Sequence, residues 1–93
     1  MIETVDGGLR VTVPMVTGNA RRLQEAGAAV IVGQPLLVDL SAVPTADSSA
    51  IAVMLAWLRT ARSLRSTLRF TGIPAAVLSL AKLYGVYDLL PQA

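Results

Sequence analysis

A chain of 93 residues, with eight Lys and Arg against six Asp and Glu, suffices for one domain and one compact core, with no room for a second. It contains neither cysteine nor histidine, which excludes disulfides, thiol chemistry, imidazole acid–base catalysis and the thiolate and imidazole metal ligands. With 54% apolar and only 15% charged residues, it is apolar for a small domain; it needs either a docking face or a membrane segment.

The membrane reading fails on length. The longest apolar runs, Ala26 to Val32 (broken by Gly27) and Ala50 to Leu58, fall far short of the roughly 18 to 20 residues of a span. Met1-Ile2-Glu3-Thr4 opens neither a basic region nor an apolar signal core. The expectation is a cytoplasmic protein with no direct membrane insertion, whose surplus apolar surface meets a protein partner.

In chain order, Ile2 to Val5 and Leu9 to Val13 alternate apolar and polar residues around Asp6-Gly7-Gly8, which predicts a β-hairpin. Pro14 ends its second strand. After Thr17-Gly18-Asn19, Ala20, Leu23, Ala26 and Val30 share one helical face, and Arg21, Arg22, Gln24 and Glu25 the other. Gly33-Gln34-Pro35 breaks the chain. Leu36 to Leu40 is almost continuously apolar, as in a central strand covered on both faces.

The next helix is predicted from about Ser48 to Ser63. Ile51, Met54, Leu55, Leu58 and Ala61 form one apolar stripe, and Val53, Trp57 and Leu64 a second beside it. A single sheet covers only one of them. Leu68 to Thr71 reads as a strand. Gly72-Ile73-Pro74 then opens a third helix carrying Val77, Leu78, Leu80, Ala81 and Tyr84, with Gly85 as its stop. Val86 to Pro91 closes the chain, with Leu89 and Leu90 expected to fold back onto the core.

The order β-β-α-β-α-β-α implies parallel pairing through right-handed crossovers, with one antiparallel pair from the hairpin. The expected architecture is a single α/β domain over residues 1–93: a four-stranded mixed sheet, three main helices and a short C-terminal segment.

Catalytic groups are scarce. Asp39 and Asp47 are the one acid pair placed to approach each other and hold a hard cation, yet Asp47 before a helix N-terminus is explained by the dipole alone. No phosphate-cradling Gly-x-x-x-x-Gly-Lys pattern occurs. The expectation is therefore no enzyme, no catalytic residue, no metal and no cofactor.

The informative residues are contacts. Ser48 and Ser49 read as helix caps, whose hydroxyls accept from unpaired backbone N–H groups, or as a surface for a partner or a phosphate. Arg59, Arg62, Arg65 and Arg69 follow one another with no acid between Asp47 and Asp88. They form either a solvated face suited to a helix C-terminus or a docking patch for an acidic protein surface. Nucleic acid ranks last, since no aromatic residues interleave. Val53 and Trp57 lie off the main stripe, which makes Trp57 either a core residue or a docking anchor, with docking preferred.

Asp39-Leu40-Ser41, a short loop, then Asp47-Ser48-Ser49 opening an apolar helix resembles the STAS domain, the fold of bacterial anti-sigma-factor antagonists. Leu80-Ala81-Lys82-Leu83-Tyr84-Gly85-Val86-Tyr87-Asp88-Leu89-Leu90-Pro91 resembles the Mla-type branch, the small subunits of Gram-negative phospholipid-transport ABC complexes that maintain outer-membrane lipid asymmetry. The resemblance implies a STAS-like fold and a non-catalytic subunit. Such a subunit binds and supports the transporter's ATPase, which is in complex with its inner-membrane permease. It places Ser48 at the family's hydroxyl position. Together with the reading of the residues, it makes Asp47, Ser48, Ser49, Val53, Trp57 and Arg59 the expected partner contacts. The alternative it implies is an anti-sigma-factor antagonist phosphorylated at Ser48. Ala50, where that branch usually has Gly, weighs against it.

Overall fold

The computed structural model describes residues 1–93. Strands β1 (Ile2–Val5) and β2 (Gly8–Val11) form the expected antiparallel hairpin, with Ile2 opposite Val11 and Val5 opposite Gly8. The second strand starts one residue earlier than the turn chemistry predicts and stops at Val11. One further bond, from Thr12 N–H to the Met1 carbonyl at 3.1 Å, precedes Pro14.

Strand β3 (Leu36–Asp39) lies parallel to β2, and β4 (Leu68–Thr71) parallel to β3, giving the order β1-β2-β3-β4. Both crossovers advance in the same direction. The right-handed rule therefore puts α1 (Ala20–Val30) and α2 (Ser49–Ser63) on one face of the sheet. Leu9, Val38 and Phe70 stand in one row across that face, and all three are buried.

The other face is open, which corrects the expectation of a strand covered on both sides. Leu37 is 38% exposed there, beside exposed Arg69. The row above it is ionic: Arg10 meets Asp39 at 3.2 Å and Glu3 at 3.8 Å. The run Leu36-Leu37-Val38 hides this alternation, because the one outward residue within it is itself apolar.

The two-stripe surface of α2 finds its cover in a second helix. On α1, Leu23, Gly27 and the following Ile31 are buried, whereas Ala26 is half-buried and Val30 is 40% exposed. The apolar face is thus rotated from the expected one. The cause is Gly27: the Trp57 indole occupies the space that a Cβ there would fill. Its Nε1–H donates to the Gln24 carbonyl at 3.1 Å. Leu64, expected on that stripe, is instead 45% exposed just past the end of α2.

Helix α3 (Ala75–Leu83) buries Val77 and Ala81 and stops at Gly85, whose φ of +72° suits a residue without a Cβ. Tyr84 lies beyond the last turn and is 55% exposed, so it is not part of the core stripe. A 3-10 turn (Tyr87–Leu89) follows, and of the two closing leucines only Leu90 folds into the core; Leu89 is 58% exposed. The last residues then run along β4. Phe70 N–H donates to the Pro91 carbonyl and Ala93 N–H to the Phe70 carbonyl, both at 2.9 Å. The tail thereby covers an edge that would otherwise present unpaired backbone.

Candidate functional site

The start of α2 is fixed by a clasp between two loops. Met15 N–H donates to the Thr45 carbonyl at 2.9 Å, and Asp47 N–H returns a bond to the Met15 carbonyl at 3.1 Å. The Asp47 side chain completes it. One carboxylate oxygen accepts from the Thr17 N–H at 3.0 Å and its hydroxyl at 3.3 Å; the other accepts from Ser49 N–H at 2.8 Å. The Ser49 and Thr17 hydroxyls share a further hydrogen bond of 2.8 Å. These bonds, the Thr17 N–H foremost and the Ser49 N–H next, hold the Asp47 carboxyl below its ordinary range.

Asp47 therefore does what Ser48 was expected to do. It satisfies an unpaired N–H at the helix start, while Ser48 is already helical at φ −60° and ψ −20° and makes no capping bond. The reading of Ser48 as a cap is corrected. Its side chain is exposed and engaged with nothing in the chain. Ser49 is half-buried and committed to Thr17.

From Ser48 an exposed edge runs down α2. Ala52, Leu55, Arg59 and Arg62 follow at helical spacing, with Ala52, Arg59 and Arg62 exposed and Leu55 half-buried. Arg59 has no ion-pair partner, since the chain's salt bridges use only Arg10 and Arg21 as cations. Val53 and Trp57 do not belong to this edge. At 1% and 2% exposure they are core residues, and their assignment as outward contacts is corrected: the surplus apolar surface of α2 meets α1, not solvent.

The structure brings Asp47, Ser48 and Ser49 together, with Asp47 and Ser49 as the scaffold and Ser48 facing out, whereas Arg59 lies about 16 Å further along the same exposed edge of α2. Sequence reasoning missed Thr17, Ala52 and Leu89. Leu89 lines a groove with Leu55, Leu58, Arg59 and Arg62. The turn-like run Thr17-Gly18-Asn19 marked a loop, but nothing in it specified that Thr17 meets a carboxylate in another loop.

The two acids considered as a cation site serve separate structural tasks. Asp39 accepts from Ser41 N–H at 2.8 Å and pairs with Arg10 at 3.2 Å. The Ser41 hydroxyl and N–H, with a lesser contribution from Arg10, lower its pKa. No group of three or more acidic side chains is placed to hold a metal ion. What the α2 edge offers is a hydroxyl, a small apolar step at Ala52, the half-buried Leu55 and a cation, which are elements of recognition.

Residues 4–91 match the profile of the family described as Mlab, STAS domain. No curated protein sequence matches the chain. Among solved structures, a Thermotoga maritima protein described as an anti-sigma factor antagonist superposes with a TM-score of 0.76 at 14% identity, over 99% of this chain and 83% of that one. The murine anion transporter Slc26a9, in its inward-facing state, gives a TM-score of 0.72 at 18% identity. That match covers 92% of this chain but only 15% of the transporter. A sulfate transporter family protein of Wolinella succinogenes gives 0.65 at 17% identity, over 87% of this chain and 67% of that one. At these identities the structural likeness speaks for the fold. No helix is long and apolar enough to cross a membrane.

Proposed function

Since the chain belongs to the MlaB-type STAS domain family across residues 4–91, we propose that it is a non-catalytic subunit that docks on the ATPase of a phospholipid-transport ABC complex. On this reading it sits at the cytoplasmic side of the inner membrane, held there by the ATPase and its permease. Its task is to support their assembly and activity, and through them outer-membrane lipid asymmetry.

The observation that carries this reading is the contrast between Ser48 and its neighbours. Asp47 and Ser49 are consumed by Thr17, whereas the Ser48 hydroxyl is exposed at the head of an edge continuing through Ala52, Leu55 and Arg59. A clasped loop presents that hydroxyl in one place, so little ordering entropy opposes association. Ala52 lets a partner approach the helix closely one turn from Ser48, and Arg59 adds a charge further along the edge that steers an acidic partner.

Affinity purification of the tagged chain from its native cell is expected to bring down an ABC ATPase together with its permease. Ser48→Glu and Arg59→Glu are expected to weaken that recovery while leaving the fold intact.

One observation favours a second reading, an anti-sigma-factor antagonist switched by phosphorylation. The Ser48 hydroxyl is free for a kinase, and a phosphate would add about −1.5 to −2 charges beside the partner surface. Recovery of a serine kinase alone, with phosphate found on Ser48 by mass spectrometry, supports this second reading over the first.

A further inference from the structure

At the far end of α2 from Ser48, the exposed edge opens into a groove against the 3-10 turn and the C-terminal tail. Two adjoining hollows of about 360 and 310 Å³, which share Leu58, Arg62 and Leu89 as common walls, make up this trough. Its apolar lining comes from Leu55, Leu58, Leu89 and Pro91, and its charged rim from Arg59 and Arg62; Arg69 borders it from β4, with its side chain on the open face of the sheet. Neither Arg59 nor Arg62 is in a salt bridge, and both are exposed. No acid occurs in the sequence between Asp47 and Asp88. Leu89, at 58% exposure, has no covering side chain of its own.

We infer that this groove binds an acidic amphipathic helical segment of a partner protein. An apolar floor alone would accept many occupants; the unpaired arginines along it select one with carboxylates flanking its apolar side. From Leu55 to Arg62 the α2 wall runs about 10 Å at 1.5 Å per residue. That length suits two turns of a helix presenting apolar residues four apart, the helix-in-groove mode of recognition. Nucleic acid fits poorly, because no aromatic side chain lines the trough for bases to stack on. A membrane surface fits poorly as well, since the apolar residues lie in a concavity between α2 and the turn. The groove shares Leu55, Arg59 and Arg62 with the edge proposed to meet the ATPase but does not include Ser48, so Ser48→Glu separates the two surfaces.

The test is selection from a displayed library of random 14-residue peptides on the full chain, followed by affinity measurement on the enriched sequences. Enriched peptides are expected to carry net negative charge with apolar residues at three- or four-residue spacing. Their affinity is expected to fall at least about tenfold with Arg59→Glu plus Arg62→Glu, and to weaken as salt rises. Leu89→Asp, at an exposed position, is expected to abolish binding while circular dichroism shows unchanged melting. Enrichment of neutral or basic peptides overturns the proposal, as does binding indifferent to these substitutions. Sedimentation of the chain with vesicles containing 30% phosphatidylglycerol, lost on Arg62→Glu, together with no acidic peptide enriched, overturns it in favour of a lipid surface. If Ser48→Glu abolishes ATPase recovery while peptide binding persists, the two surfaces are separate. If ATPase recovery fails for the unaltered chain and peptide binding persists, only the transporter reading is lost.

Discussion

The Asp47 carboxylate accepts from both the backbone N–H and the hydroxyl of Thr17, at 3.0 and 3.3 Å across thirty positions of sequence. The same side chain holds the Ser49 N–H at 2.8 Å. One residue thereby joins the loop before α1 to the first turn of α2. The exposed hydroxyl of Ser48 is set by that junction rather than by bonds of its own.

Removing the clasp should therefore matter more than removing the hydroxyl it presents. Asp47→Ala is expected to lower the urea midpoint clearly, because three donors on Thr17 and Ser49 lose their acceptor. Ser48→Ala is expected to stay within about 0.5 kcal/mol of the unaltered chain, as for a surface position. If Ser48 were the cap, its loss would cost about 1 kcal/mol, and the order of the two effects would be reversed.

The acid limb of stability follows from the same bonds. Asp39 and Asp47 are both lowered from an ordinary value of 3.8 by hydrogen bonds that favour their charged forms. As pH falls below that value, the unfolded chain takes up these protons before the folded one does, so stability declines. The contribution is complete above the unfolded value and is lost as pH drops through the lower folded value. Urea midpoints between pH 6 and pH 2.5 are expected to fall less steeply for Asp47→Asn than for the unaltered chain. Equal slopes would remove Asp47 from the acid response.

The fit of Trp57 against Gly27 makes two substitutions informative. Gly27→Ala places a methyl group where the indole lies and is expected to cost about 1–3 kcal/mol, with a shift in tryptophan emission. Trp57→Ala is expected to cost about 3–5 kcal/mol. Any loss of partner binding by that variant then tracks unfolding. A Trp57→Ala chain with unchanged melting would return the residue to the surface.

Two residues past the end of α2, Arg65 lies in the left-handed region at φ +55°. An L side chain there costs about 1–2 kcal/mol, against about 0.5–1 kcal/mol of added chain entropy for glycine. Arg65→Gly is therefore expected to raise the melting temperature slightly. A fall would mean that the Arg65 side chain contributes contacts outweighing its strain.

The fold was legible because its punctuation is local. Asp6-Gly7, Pro14, Gly33-Gln34-Pro35 and Gly85 mark where elements end, and the strand–helix alternation fixes the crossovers. The side-chain environments were less legible, for two reasons. Apolar character says that Trp57 and Val53 avoid water but not which neighbour covers them, and that depended on Gly27, a residue without a side chain. Leu37, although apolar, faces the open side of the sheet. At the site, Asp-Ser-Ser identified the helix start, yet the division of labour among the three residues depended on Thr17. A contact between loops thirty residues apart leaves no periodic trace in sequence.

The α2 edge headed by Ser48 is proposed to dock on an ABC ATPase. The most direct test is quantitative recovery of that ATPase by the tagged chain from its native cell, comparing the unaltered protein with Ser48→Ala and Ser48→Glu. Recovery of the ATPase with its permease is expected for the first two, with at least about a tenfold loss for Ser48→Glu at unchanged melting temperature. Equal recovery by Ser48→Glu, or no ABC ATPase recovered by the unaltered chain, contradicts this docking.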